Sequence, residues 1–280
     1  MILPVDFDFT QGNLQDYVDC PYRFYLRYIL RTSWPALVVD DALEFERRGQ
    51  AGGRFHRLVQ QYLLGIPQTR ISELADSDPD PDLRTWWEDF LTYVPSWLTG
   101  ERWVEATLTT RLAGGRVVAK YDLILADEDG GLTVFDWKTS RKTPQKAWLL
   151  DRIQTRLYRF VLAEASATFF GGKSVAPEKM TMNYWYAPHP QALVSLPYSQ
   201  SAYEQDRDDL AGLIAEICAK EDPRGFTRTE ETKHCRFCVY RSHCDRGVSG
   251  GDLDDWDDFD QEPDEMGTAI DFDALPEIEF

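Results

Sequence analysis

The stretch 133-TVFDWKTS-140 limits this chain more than any other, because an apolar, β-branched run carries Asp136 and Lys138 two residues apart. In a strand, residues i and i+2 share a face. The two charges therefore point together, while Phe135 and Trp137 pack on the opposite side. Charges inside a core are costly unless paired. Taken alone, D-x-K reads as a structural ion pair near a strand end. The run also has neighbours of its own kind. Residues 103–112, 116–126 and 132–138 are rich in Val, Leu, Thr and Tyr, and the turn signals 113-AGG-115 and 127-DEDGG-131 separate them. The pattern predicts an antiparallel meander.

Helical patterns flank the meander. Residues 11–31 read as helix, with Thr10 as N-cap and a break near 20-CP-21. A second helix is expected over 43–64, and the polar, proline-rich 66–82 reads as loop. In 82-DLRTWWEDFLTYVPSWL-98 the residues Trp86, Phe90, Tyr93 and Trp97 recur at helical spacing, which marks a core-facing stripe more readily than a base-stacking one. A long helix is predicted at about 145–167, strands at 178–187 and 191–197, and a last helix at about 200–220 with Cys218 on its apolar face. Strands flanked by helices on both sides in sequence predict an α/β fold with a mixed sheet.

Asp122 lies in 121-YDLILAD-127, one hairpin before Asp136. If the two strands are neighbours, the carboxylates converge. Close carboxylates repel unless a proton or a divalent cation lies between them. Oxygen ligands suit Mg²⁺ or Mn²⁺. A lysine beside such an ion can orient or help deprotonate a water and stabilise charge on a phosphate. Those parts make a phosphodiester hydrolysis site.

The order Asp122, then 136-DWK-138, resembles the PD-(D/E)XK nuclease superfamily, in particular its RecB-like branch. His56 in 53-GRFHRLV-59 is similar to the branch's upstream histidine, which contributes to the metal site. Gln154 and Tyr158 in 154-QTRLY-158 look like its Q-x-x-x-Y motif, which contacts the substrate strand, and i, i+4 spacing puts both on one helix face. The ending 136-DWKTS-140 matches the branch's D-x-K-T. One departure is Tyr121, where the family name suggests proline. The resemblance implies a restriction-endonuclease-like mixed central sheet flanked by helices. It also implies a Mn²⁺ or Mg²⁺ site made by His56, Asp122, Asp136 and the Trp137 carbonyl, with Asp122, Asp136 and Lys138 catalytic. The substrate is expected to be single-stranded or end-exposed DNA, guided by Gln154 and Tyr158 and by Arg141 and Lys142, which follow the site directly.

Five cysteines are present, and three of them form C-x2-C-x5-C in 235-CRFCVYRSHC-244. An odd, clustered count argues for metal chemistry over a disulfide framework. The short C-x2-C bite serves zinc and iron–sulfur sites alike. His234 and His243 allow a Cys3His zinc site without Cys20. One upstream cysteine with three downstream, bracketing a nuclease core, is similar to the iron–sulfur nucleases among CRISPR-associated RecB-like exonucleases and AddB-type subunits. That likeness implies a [4Fe–4S] cluster on Cys20, Cys235, Cys238 and Cys244, a C-terminal iron–sulfur segment stapled to the N-terminal part, and protein partners in CRISPR adaptation or repair.

The net charge of −18 argues against a nucleic-acid binder, yet it is unevenly spread. Residues 251–280 hold 13 of the 48 acidic residues and no Lys or Arg, so the rest of the chain carries only −5. A local basic surface is expected from Arg47, Arg48, Arg54 and Arg57 around His56, and from Arg152, Arg156 and Arg159 around Gln154. The expected organisation is a nuclease domain over 1–248 and an acidic, disordered tail over 249–280. The tail is a solubilising extension, an internal competitor of DNA, or a partner-recruiting peptide. No apolar run reaches the roughly 18–20 residues of a membrane span. The start, 1-MILPVDFDFT-10, lacks a basic n-region. A cytoplasmic protein without membrane contact is expected. Sequence alone leaves two readings open: a metal-dependent DNA exonuclease, or a non-catalytic DNA-binding subunit that keeps the fold.

Overall fold

The computed structural model describes residues 2–33, 42–168 and 172–251; the acidic tail expected over 249–280 lies almost wholly outside them. Six strands form one mixed sheet: β1 (Asp8–Phe9), β2 (Glu101–Leu112), β3 (Gly115–Ala126), β4 (Leu132–Lys138), β5 (Met180–Tyr186) and β6 (Leu193–Pro197). Nine α-helices accompany them among the described residues: α1 (Gln11–Asp19), α2 (Pro21–Phe24), α3 (Ala42–Leu63), α4 (Gln68–Ser77), α5 (Pro81–Tyr93), α6 (Lys146–Asp151), α7 (Ile153–Ala165), α8 (Gln200–Cys218) and α9 (Arg241–Cys244).

Long β3 organises the sheet. Along one edge it pairs antiparallel with β2 from Glu101↔Ala126 to Leu112↔Gly115. Along the other edge it changes partner: β1 runs parallel to it at Arg116 and Val117, and β4 runs antiparallel from Leu123↔Phe135 to Ala126↔Leu132. β5 then pairs parallel with β4, and β6 antiparallel with β5. The predicted meander is therefore present, and the parallel β4–β5 pair, joined through α6 and α7, makes the sheet mixed.

A helical layer covers each face. On one, Leu157, Val161 and Ile214 from α7 and α8 pack with Tyr121, Ile124, Val134 and Tyr184. On the other, Phe55, Val59, Ile71, Trp87 and Phe90 from α3, α4 and α5 pack with Leu123, Phe135, Trp137 and Trp185. Phe90 meets Trp137 edge-on at 5.6 Å between ring centroids. The aromatic stripe of α5 is thus core, with Trp86 and Phe90 buried, as its spacing predicts. Cys218 closes α8 half-buried against the first layer.

Two expectations need correction. Most of residues 66–82 is helix, not loop: α4 forms because Ile71 and Ala75 bury one stripe. The helix expected over 145–167 is two helices, since Arg152 is extended (φ −61°, ψ 138°). The break expected near 20-CP-21 is present: Cys20 is extended between α1 and α2, and a π-helical turn follows over Tyr25–Ile29. Thr10 does cap α1, in a reciprocal capping box with Asn13.

Candidate active site

The site lies where β3 changes partners. Register sets Tyr121 opposite Ala106 and Leu123 opposite Val104, so Glu105 faces Asp122. Glu105 adopts φ 53°, a region that L-residues other than Gly, Asn and Asp seldom enter. The alternation of both strands slips there. Ala119 and Tyr121 face α7, but so do Ile124 and Ala126, while Leu123 and Leu125 face α3 and α5. This kink frees the Asp122 side chain from the ordinary in–out pattern. The β3–β4 pairing stops at Leu123↔Phe135, and the Trp137 N–H donates to Asp122 Oδ2 at 2.9 Å.

Around this fork the expected residues gather. Lys138 Nζ lies 2.8 Å from Asp136 Oδ2, and both side chains are nearly buried. Phe135 and Trp137 face the other layer, so the i, i+2 geometry read from 136-DWK-138 is present. Phe55, wholly buried, seats α3 on the sheet, and the next residue, His56, puts Nδ1 3.2 Å from Asp122 Oδ1. From the opposite layer, Gln154 in the first turn of α7 donates through Nε2 to Asp136 Oδ1 at 2.9 Å. Burial acts to raise the Asp122 pKa, but His56, the Trp137 N–H and the Lys138 charge outweigh it and hold the carboxyl below its ordinary range.

Tyr158 sits one turn beyond Gln154 but inside the core. It is 6% exposed, its ring lies 4.9 Å from that of Tyr121, and its carbonyl accepts from the Tyr121 hydroxyl. Arg141 and Lys142 are exposed just past the end of β4. The basic surface expected along α7 needs correction: Arg156 and Arg159 pair with Asp206, and Arg156 also with Asp209, both on α8. Arg47 and Arg48 pair with Glu44, and Arg54 with Asp78. Two further groups reach the site without any sequence signal. Tyr184 lies opposite Asp136 on β5 and puts its ring 5.7 Å from Lys138 Nζ; Thr155 shares a 2.7 Å hydrogen bond with the Tyr184 hydroxyl.

A second cluster joins the two ends of the domain. Cys20, at the α1–α2 break, lines one cavity with Cys235, Cys238 and Cys244, together with Arg23, Arg228, Arg241 and Arg246. Burial pushes the Cys238 thiol up to about 11, against the opposing influence of Arg23, and Cys20 and Cys244 add to the rise. Nearby, the Tyr22 N–H donates to the Thr227 carbonyl, and the Tyr240 hydroxyl to that of Thr32.

A mixed sheet between helical layers, with two carboxylates and a lysine at the fork of its central strands, defines a nuclease-type α/β protein. The chain belongs to the PD-(D/E)XK nuclease superfamily, whose family model matches residues 8–245. No curated protein sequence matches it. Its structure is similar to that of a protein from Eubacterium rectale bearing the name "Putative exonuclease", with a TM-score of 0.51 and 10% identity over 93% of each chain, a likeness of fold alone. Another solved structure, that of SSO0001, gives a TM-score of 0.36 at 12% identity over 89% of this chain and 90% of its own, and nothing rests on it.

PD-(D/E)XK nucleases generally use Mg²⁺ or Mn²⁺. Among the described residues no three His, Cys, Asp or Glu side chains form a ready-made metal cage. The donor set nevertheless suits such an ion in kind: two carboxylates, an imidazole and main-chain carbonyls. Gln154 Oε1 adds a buried acceptor with no hydrogen-bond partner among the described residues, beside Asp136. No helix of the described residues is long and apolar enough to cross a membrane.

Proposed function

We propose that this nuclease is a metal-dependent deoxyribonuclease, an exonuclease acting on single-stranded or end-exposed DNA. The observation that carries the reading is the meeting of Asp122, Asp136, Lys138, His56 and Gln154, drawn from both helical layers, at one fork of the sheet. His56, Asp122, Asp136 and the Trp137 carbonyl would hold Mn²⁺ or Mg²⁺. Such an ion, when bound, polarises the scissile phosphate and acidifies water. Lys138 holds its ammonium against Asp136, where it can orient the attacking water and offset charge gathering on the phosphate. Gln154 fixes the Asp136 carboxylate through its Nε2, and its Oε1 is buried with no hydrogen-bond partner among the described residues. Arg141 and Lys142, exposed just past the end of β4, would meet the strand backbone, while Tyr158 packs against Tyr121 beside Asp122.

The four cysteines around one cavity support a [4Fe–4S] cluster on Cys20, Cys235, Cys238 and Cys244 in the same reading. Four arginines on the same cavity suit the net negative charge of such a centre. CRISPR adaptation and recombination repair are the processes proposed for such an enzyme, with protein partners to match.

The test compares wild type with Lys138→Ala on end-labelled single-stranded DNA with Mn²⁺. Cleavage by wild type, falling at least ~100-fold in the variant, is expected, in line with the cost of losing one general-acid–base or electrostatic group. Equal background cleavage by both, with DNA still bound, would leave the chain as a non-catalytic DNA-binding subunit.

A further inference from the structure

The break between α6 and α7 builds a feature that the reaction above does not use. Arg152, the extended residue at the break, is 8% exposed, and its guanidinium carbon lies 4.9 Å from the centroid of the Trp148 ring. The segment is firmly held. Leu149 is wholly buried, Lys146 Nζ donates to the Ser195 carbonyl on β6 at 2.8 Å, and Gln154, two residues beyond Arg152, holds Asp136. Trp148 itself stays 36% exposed, the one exposed tryptophan among the described residues. One face of the indole is therefore propped by a cation, and the ring stands out from a fixed scaffold.

Its position relates it to the chemistry. Two residues past Arg152, Gln154 donates to Asp136 Oδ1 at 2.9 Å, and Lys138 Nζ lies 2.8 Å from Asp136 Oδ2. One short segment thus carries the indole, the arginine that backs it and the glutamine that holds the site carboxylate. An exposed indole beside a phosphodiester site, backed by a guanidinium, has the make-up of a stacking platform. Bases of every kind present a π-face, and a nearby arginine adds a cation–π contribution.

We propose that Trp148 is the platform on which an unpaired base of the substrate strand, next to the scissile phosphate, stacks. The proposal rests on the nuclease reading and gives it a substrate preference. A base can reach the indole only when it is out of a duplex stack, so the platform selects single-stranded over paired DNA without selecting sequence.

The test uses the full chain and fluorescein-labelled oligonucleotides of mixed sequence, with EDTA present for binding and Mn²⁺ for cleavage. Anisotropy gives Kd, and a separate cleavage assay gives rates. Trp148→Ala is expected to weaken single-strand binding about tenfold, and Trp148→Phe to restore most of it. A second series places one abasic nucleotide at successive positions from the end. At one position the abasic strand should bind wild type as weakly as the intact strand binds Trp148→Ala, and the variant should be indifferent to that lesion. Equal affinities of wild type and Trp148→Ala for every oligonucleotide, with wild type still cutting DNA, overturn the platform and leave the nuclease reading intact. Loss of cutting by wild type while the abasic pattern persists removes the nuclease reading and leaves the platform. Failure of wild type to bind single strands at all removes the platform as well.

Discussion

At the scale of single residues, the site is a contest between burial and charge, and Asp122 is where it is decided. Burial alone drives a carboxyl pKa up; His56, the Trp137 N–H and Lys138 reverse this and hold it below its ordinary range. A depressed folded-state pKa contributes stability that is present above the unfolded value, about 3.9, and is lost as pH falls through the lower folded one. Asp122→Asn should therefore cost stability in urea unfolding at about pH 5 to 6, with the gap to wild type shrinking below about pH 4. A gap that closes as pH rises from 4 to 7 would mean that burial wins and Asp122 is protonated. The sequence made this cluster legible because the period of a strand is two: Asp136 and Lys138 had to share a face, Asp122 lay one hairpin away, and the likeness to PD-(D/E)XK nucleases pointed to His56. It did not show that Gln154 would reach Asp136, nor that Tyr184 would underlie Lys138. Both follow from three-dimensional neighbours, the α7 start and the parallel register of β5, which no local spacing encodes.

At the scale of elements, the decisive feature is the kink at Glu105 and Asp122. Neither strand announces it: 103–112 and 116–126 read as unbroken strands, and the observed β2 and β3 are each continuous. Only the slip in which side chains face which layer shows that Asp122 has been turned, as irregularities beside active sites commonly do. The cost falls on Glu105, whose positive φ is about 1–2 kcal/mol unfavourable for a residue with a Cβ. Its ion pair with Lys120, at 2.6 Å on a largely exposed lysine, offsets little of that. Glu105→Gly should therefore fold with its stability within about 1 kcal/mol of wild type, since relief of strain is set against greater freedom of the unfolded chain. Glu105→Val should lose about 2 kcal/mol or more, because a β-branched residue tolerates positive φ worst. Chemical denaturation separates the two. If the kink aims Asp122, the valine variant also loses activity out of proportion to its stability, measured at a temperature where it remains folded. The missed helix α4 and the break at Arg152 share one cause. Prolines beside a short polar helix imitate loop, and a long pattern without Gly or Pro imitates continuity, while burial of Ile71 and the close approach of Arg152 to Trp148 decide otherwise.

At the scale of the whole molecule, the question is what joins residues 2–33 to residues 223–251. Packing does part of it. Phe226 stacks against Phe24 and Tyr25, with ring centroids 6.0 and 5.4 Å apart, and the Tyr22 and Tyr240 hydrogen bonds cross the same seam. The cavity lined by Cys20 and the three downstream cysteines lies on that seam. A centre bound there adds its binding free energy to folding, on top of contacts that exist without it. Cys20→Ala should therefore not unfold the chain. It should lower the iron content and visible absorbance of anaerobically purified protein and drop Tm by several degrees, as expected when ~1–3 kcal/mol is lost from a domain of this size. Cys218→Ala is the control, because Cys218 packs at the end of α8 and does not line the cavity; its iron content should match wild type. The variant also separates the two chemistries open to these cysteines. A Cys3His zinc site built from Cys235, Cys238, Cys244 and a neighbouring histidine has no need of Cys20, so Cys20→Ala would leave metal content and Tm unchanged. A cluster needing all four thiols loses both together, because its upstream ligand is the only cysteine on the N-terminal side of the seam.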